Sequence, residues 1–105
     1  MRYFTSTHGI AEALRTLADT LGDLPDVPLA EVRVSVDMQV TPTRNTEADR
    51  IGAVDTLAFI MLDTDAEARH CHNSTHYGTP FGRDVAGIEV DAYTADLSTV
   101  TAVAA

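Results

Sequence analysis

Residues 32–40 read Val-Arg-Val-Ser-Val-Asp-Met-Gln-Val, apolar at every even position and polar at every odd one. A period of two sustained over that length predicts a β-strand with one buried and one solvated face. Such a strand belongs to a sheet covered on one side only. Thr41-Pro42-Thr43 ends it, since proline cannot donate to a ladder.

Amphipathic segments lie on both sides of this strand. Ile10, Leu14, Leu17 and Leu21 recur at helical spacing with Glu12, Arg15 and Asp19 on other faces, which predicts a helix over 10–21. Thr7 is the expected N-cap and Gly22 the expected left-handed end. Leu24-Pro25-Asp26-Val27-Pro28 then forces an extended connector. Thr46 and Asp49 have the spacing of a capping box, and Ile51, Val54, Leu57, Ala58, Met61 and Leu62 carry a second helical period over 46–63. The last turns of this helix, with Phe59 and Ile60, are apolar nearly all round.

Two further strands are expected. Residues 67–77 read as one strand, 78–84 have the composition of a loop, and 85–94 alternate again, with Ile88, Val90 and Ala92 on one face. Leu97, Val100 and Val103 in the tail fit a short helix or an edge segment. The expected fold is therefore a single α+β domain over residues 1–105, in two layers. A small, mainly antiparallel sheet of about three strands carries two helices on one face, in the order α-β-α-β-β.

Composition excludes several function classes. The 105 residues hold 16 acidic side chains against 7 basic ones, a formal charge of −9. That field repels phosphate backbones and anionic lipid heads, so direct nucleic-acid or membrane-surface binding is not expected, while a basic protein surface is a suitable partner. Every basic residue is arginine, and aspartate outnumbers glutamate 11 to 5, a bias that fits a GC-rich coding sequence. The one cysteine, Cys71, allows no intrachain disulfide. With no apolar leader at the N-terminus and no long apolar run, the expected setting is the cytoplasm.

Candidate chemistry is sparse. In the stretch HCHNSTHY, residues 70–77, a single strand puts His70, His72 and His76 on one face. Imidazoles two residues apart can converge on one Zn²⁺, although a third ligand is not evident in the sequence. The expected reading of the same three histidines is a solvated strand face that binds nothing, and no cofactor is expected. Cys71, if inward, is a small buried hydrophobe. Phe81 and Arg83 in the 78–84 loop are the candidate protein contacts, being residue types enriched at binding hot spots. The loop lacks both the phosphate-loop and the dinucleotide patterns.

The succession ALRTLADTL, PDVPLAEVRVSV, VDTLA, HY and VAGIEVDAYT, over roughly residues 8–95, resembles small α+β accessory proteins common in actinobacteria and in their phages and integrated elements. Members of that group carry no assigned activity. The resemblance implies an accessory-gene setting and transfers no site residues.

Three functions are compatible with these residues. The first is a non-enzymatic protein-binding or regulatory module. The second is an acidic inhibitor of a basic nucleic-acid-binding protein or toxin, distinguished from the first by carboxylates gathered on one face. The third is a small metal-dependent enzyme built on His70 and His72. Free sheet edges and the apolar end of the second helix further predict a homo-oligomer, most simply a two-fold dimer.

Overall fold

The alternating stretch forms β1, Ser35–Gln39, with Val36 and Met38 half-buried and Ser35, Asp37 and Gln39 exposed. This is a computed structural model, and it describes residues 3–42, 46–71 and 74–97. The chain resolves into two compact units, Met1–Val32 and Arg33–Ala105.

The first unit holds α1, Thr7–Asp23, and its cap is Ser6 rather than Thr7. The Ser6 hydroxyl accepts from the Gly9 amide at 3.0 Å, which places the free first-turn donors one residue earlier than expected. Gly22 lies inside the helix. What stops the helix is Pro25, whose ring pushes Leu24 to an extended backbone, φ −73° and ψ 151°. Leu14, Leu17 and Leu21 are exposed on α1.

The second unit is a five-stranded mixed sheet with a helix, so the expectation of about three mainly antiparallel strands is corrected. The strands are β1, β2 (Glu67–Cys71), β3 (Ser74–Gly78), β4 (Asp84–Val85) and β5 (Ile88–Leu97). They run in the order β1-β5-β3-β2, with β4 also paired to β5. With α1 and α2 the chain order is α-β-α-β-β-β-β. Both extra strands come from splitting predicted ones. The stretch read as one strand over 67–77 is the hairpin β2–β3, with Arg69 opposite His76 and His70 opposite Thr75. The stretch read as one strand over 85–94 is broken by a turn at Ala86 and Gly87, both at positive φ (53° and 83°), so that Val85 faces Ile88. A two-residue loop with both residues left-handed matches the twist of the strands it joins.

The pairing of β1 with β5 is parallel, Val36 opposite Val90 and Asp37 opposite Asp91. Parallel neighbours need a long crossover, and the segment containing α2 and the β2–β3 hairpin supplies it. Helix α2, Glu47–Thr56, begins where expected, with the Thr46 hydroxyl accepting from the Asp49 amide at 3.1 Å. It runs on into a π-helical stretch, Leu57–Met61. Asp63 then turns left-handed at φ 49° and Thr64 N–H closes onto the Ala58 carbonyl.

Helix α2 lies against β5 and β3. The core of this unit is small: Val54 and Ala58 from the helix side meet Ala68, Val90, Ala92 and Leu97 from the sheet. Leu97 reaches it through a bulge. Pairing runs Tyr77 to Thr94 but Thr75 to Leu97, so β5 carries one extra residue there, with Asp96 at φ 58°. The extra residue returns Leu97 to the face of Thr94. The even-numbered residues of β1 thus face α2 as the alternation predicts, while α1 belongs to the other unit.

Candidate functional site

Register sorts the side chains of the sheet. Residues directly opposite one another share a face, so the pairs Asp37–Asp91, Ser35–Glu89, Asp84–Glu89, Arg69–His76 and Glu67–Gly78 lie on the face away from α2. That face therefore gathers the carboxylates of Asp37, Glu67, Asp84, Glu89 and Asp91. Two arginines pair with these carboxylates, Arg33 at 3.8 Å from Glu89 and Arg69 at 3.2 Å from Glu67. Acidic groups outnumber basic ones.

At the centre are Asp37 and Asp91, directly opposite each other on neighbouring parallel strands and both lining the same cleft. The Ser35 hydroxyl also donates to Asp37 Oδ2 at 3.3 Å. Burial first, then the Asp37 hydrogen bond and charge, pushes Asp91 up to about 6; Glu89 adds to this and Arg69 opposes it.

The 78–84 loop folds beside the pair. An open cleft of about 290 Å³ is lined by Asp37, Glu89 and Asp91 from the strands and by Phe81 and Arg83 from the loop. Arg69 anchors the loop from below. Its guanidinium donates to the Thr79 carbonyl at 2.7 Å and lies 4.3 Å from the centroid of the Phe81 ring, a cation–π geometry. Phe81 stays 78 % exposed. Arg83 makes one long contact, 3.5 Å to the Thr64 hydroxyl. The two loop residues singled out in the sequence are thus brought to the acidic face. The Asp37–Asp91 pair was not singled out, because each strand shows only that its aspartate is on the polar side; the parallel register that joins them leaves no local signal.

His70 and His76 do not share a face. His70 sits opposite Thr75, whose hydroxyl is 3.2 Å from His70 Nδ1, on the side of α2. His76 is on the other side and stacks on Tyr93 with centroids 6.0 Å apart. The reason is the antiparallel pairing of β2 with β3, which replaces the single strand whose alternation put them together. His72, the side chain of Cys71 and the tail beyond Leu97 lie outside the described residues. Among the described residues no group of three or more His, Cys, Asp or Glu is placed to hold a metal ion.

On the α2 side, Tyr77 donates a hydrogen bond to Asp55. Burial first, then this bond and the charges of Asp55 and Asp65, pushes the phenol up to about 12. It serves as a fixed donor between β3 and α2.

Among the described residues no helix is long and apolar enough to cross a membrane. Comparison with family models, with curated proteins and with solved structures finds no match to this chain. The function must be read from the acidic face itself.

Proposed function

We propose that the chain is a non-enzymatic protein-binding module whose polar sheet face takes a basic surface of its partner. The observation that carries this reading is the gathering of Asp37, Glu67, Asp84, Glu89 and Asp91 on one face, beside an exposed Phe81. Ionised carboxylates accept and never donate, so this face complements arginine and lysine. The overall charge of −9 steers such a partner toward it. A basic protein that grips nucleic acid, or a basic toxin, is the class that fits, with the carboxylates taking the place of phosphates. Phe81 supplies an aromatic anchor and Arg69 holds it in place.

The test is capture from cells that express the protein, on immobilised wild type and on Glu67→Lys/Glu89→Lys, two rim charges outside the core. A basic partner bound by wild type, weakened about tenfold or more in the variant and by rising salt, supports the reading. Equal capture by both removes it.

A second reading is self-association through the π-helical end of α2, where Phe59 and Ile60 are 66 % and 74 % exposed. Sedimentation across salt concentrations tests it. A dimer that strengthens with screening and is lost in Phe59→Asp/Ile60→Asp supports it, and a monomer throughout removes it.

A further inference from the structure

Like charges directly opposite each other across a strand pair are destabilising, yet the edge strand β1 meets its one partner, β5, with Asp37 opposite Asp91. Among the described residues no other strand pairs with β1, so what holds or repels at this contact acts on the attachment of the whole strand. We propose that the Asp37–Asp91 contact is a pH-sensitive latch: sharing a proton it ties β1 to β5, and with both carboxyls ionised it loosens the edge strand. This goes beyond the partner-binding reading and does not depend on it.

The surrounding groups decide whether the repulsion is real. From β1, the Ser35 hydroxyl donates to Asp37, and Arg33 spends its charge on Glu89 at 3.8 Å. From β5, Glu89 adds a further negative charge beside Asp91, and Tyr93 is occupied by stacking on His76. From β4, Asp84 stands opposite Glu89 and its Oδ2 accepts from the Gly87 amide at 3.0 Å. From β2, Arg69 attracts Asp91, but its guanidinium is committed to Glu67, the Thr79 carbonyl and the Phe81 ring. From the loop, Arg83 lines the same cleft with its hydrogen bond directed at Thr64. No neighbour neutralises the pair outright, and the raised pKa of Asp91, about 6, agrees with that balance. The sign follows. A carboxyl whose folded pKa exceeds its unfolded value binds a proton more tightly when folded, so its stabilisation is full at low pH and is lost as pH rises through about 6.

Two amides bonded to opposite sides of β5 report the latch. The Val40 amide donates to the Tyr93 carbonyl at 2.9 Å from the β1 side, and the Thr79 amide donates to the Ala92 carbonyl at 2.9 Å from the β3 side. Hydrogen exchange of both, corrected for intrinsic rates, is measured at about pH 5 and about pH 7.5 on wild type and Asp37→Asn. The proposal expects Val40 protection, relative to Thr79, to fall about tenfold in wild type as pH rises, the equivalent of one pKa unit after solvent screening. In Asp37→Asn the ratio stays flat. Should that variant not fold, Asp91→Asn makes the same comparison, and the wild-type ratio decides alone if neither folds. A wild-type ratio independent of pH, or an equal pH dependence in the variant, overturns the latch.

Discussion

The guanidinium of Arg50 donates to the Thr94 hydroxyl at 3.2 Å, and that hydroxyl donates in turn to the Val40 carbonyl at 2.7 Å. One relay thereby ties the first turns of α2 to β5 and to the end of β1. Arg50 also donates to the Ala95 carbonyl at 3.0 Å, beside the β5 bulge, while its Nε has no partner among the described residues. The residue is only 4 % exposed. A buried cation held by neutral acceptors recovers little of its desolvation cost. Arg50→Met, which keeps much of the volume and removes the charge, is expected to change stability by less than about 1 kcal/mol. Arg50→Ala, which leaves a cavity and strands the acceptors, is expected to cost about 2–4 kcal/mol. Urea denaturation of both checks this, and equal losses would show that the charge itself is needed.

A turn residue offers the opposite sign. Ala86 sits at φ 53° between Val85 and Gly87, a region that costs an alanine and not a glycine. Ala86→Gly is expected to raise stability by about 0.5–1 kcal/mol, less the extra freedom glycine gains in the unfolded chain. Ala86→Val, branched at Cβ, is expected to lower it. Thermal unfolding of the two variants against wild type reads the order, and a destabilised Ala86→Gly would refute the strain.

Within the core, depth sets the cost. Val54 is fully buried between helix and sheet, and Val36 is half-buried on an edge strand. Val54→Ala is expected to cost about 2–3 kcal/mol and Val36→Ala about half as much. Chemical denaturation giving the reverse order would contradict the placement of α2 over β5 and β3.

Alkaline titration isolates Tyr77. Burial and Asp55 raise its phenol to about 12, so an absorbance titration of the tyrosinate is expected to show one late group. Asp55→Asn lowers that midpoint without restoring it fully, because burial is the larger cause. The sign for stability matches: the neutral phenol is favoured in the fold, so stability is lost as pH climbs toward about 12. A midpoint unmoved in Asp55→Asn would place the hydrogen bond elsewhere.

The alternation over residues 32–40 made the inward side of Val36 and Met38 legible, although the strand itself is only Ser35–Gln39 and Val32 and Val34 are exposed; α2 was legible from Thr46 through its apolar spacing. Strand count was not legible in the same way. The break at Ala86-Gly87 has a single glycine in place of an Asn-Gly signature, and HCHNST offers only Asn73-Ser74 as turn-forming types inside a stretch that tolerates strand throughout. The parallel pairing of β1 with β5 was beyond reach, since alternation looks the same in either direction. That one fact of register carries the acidic pair, which is why residue type singled out Phe81 and Arg83 and passed over Asp37 and Asp91.

The central claim is that a basic partner docks on the polar face of the sheet, and photo-crosslinking from defined positions tests it most directly. A benzophenone amino acid is placed at Phe81, beside the acidic cleft, or at Ala48, exposed on α2, and cells expressing each form are irradiated. The account predicts a covalent adduct to a basic protein from position 81 and none from position 48, with the adduct lost when Asp37 and Asp91 are both asparagine. Adducts that form from position 48 and not from 81, or that persist in the double asparagine variant, would contradict it.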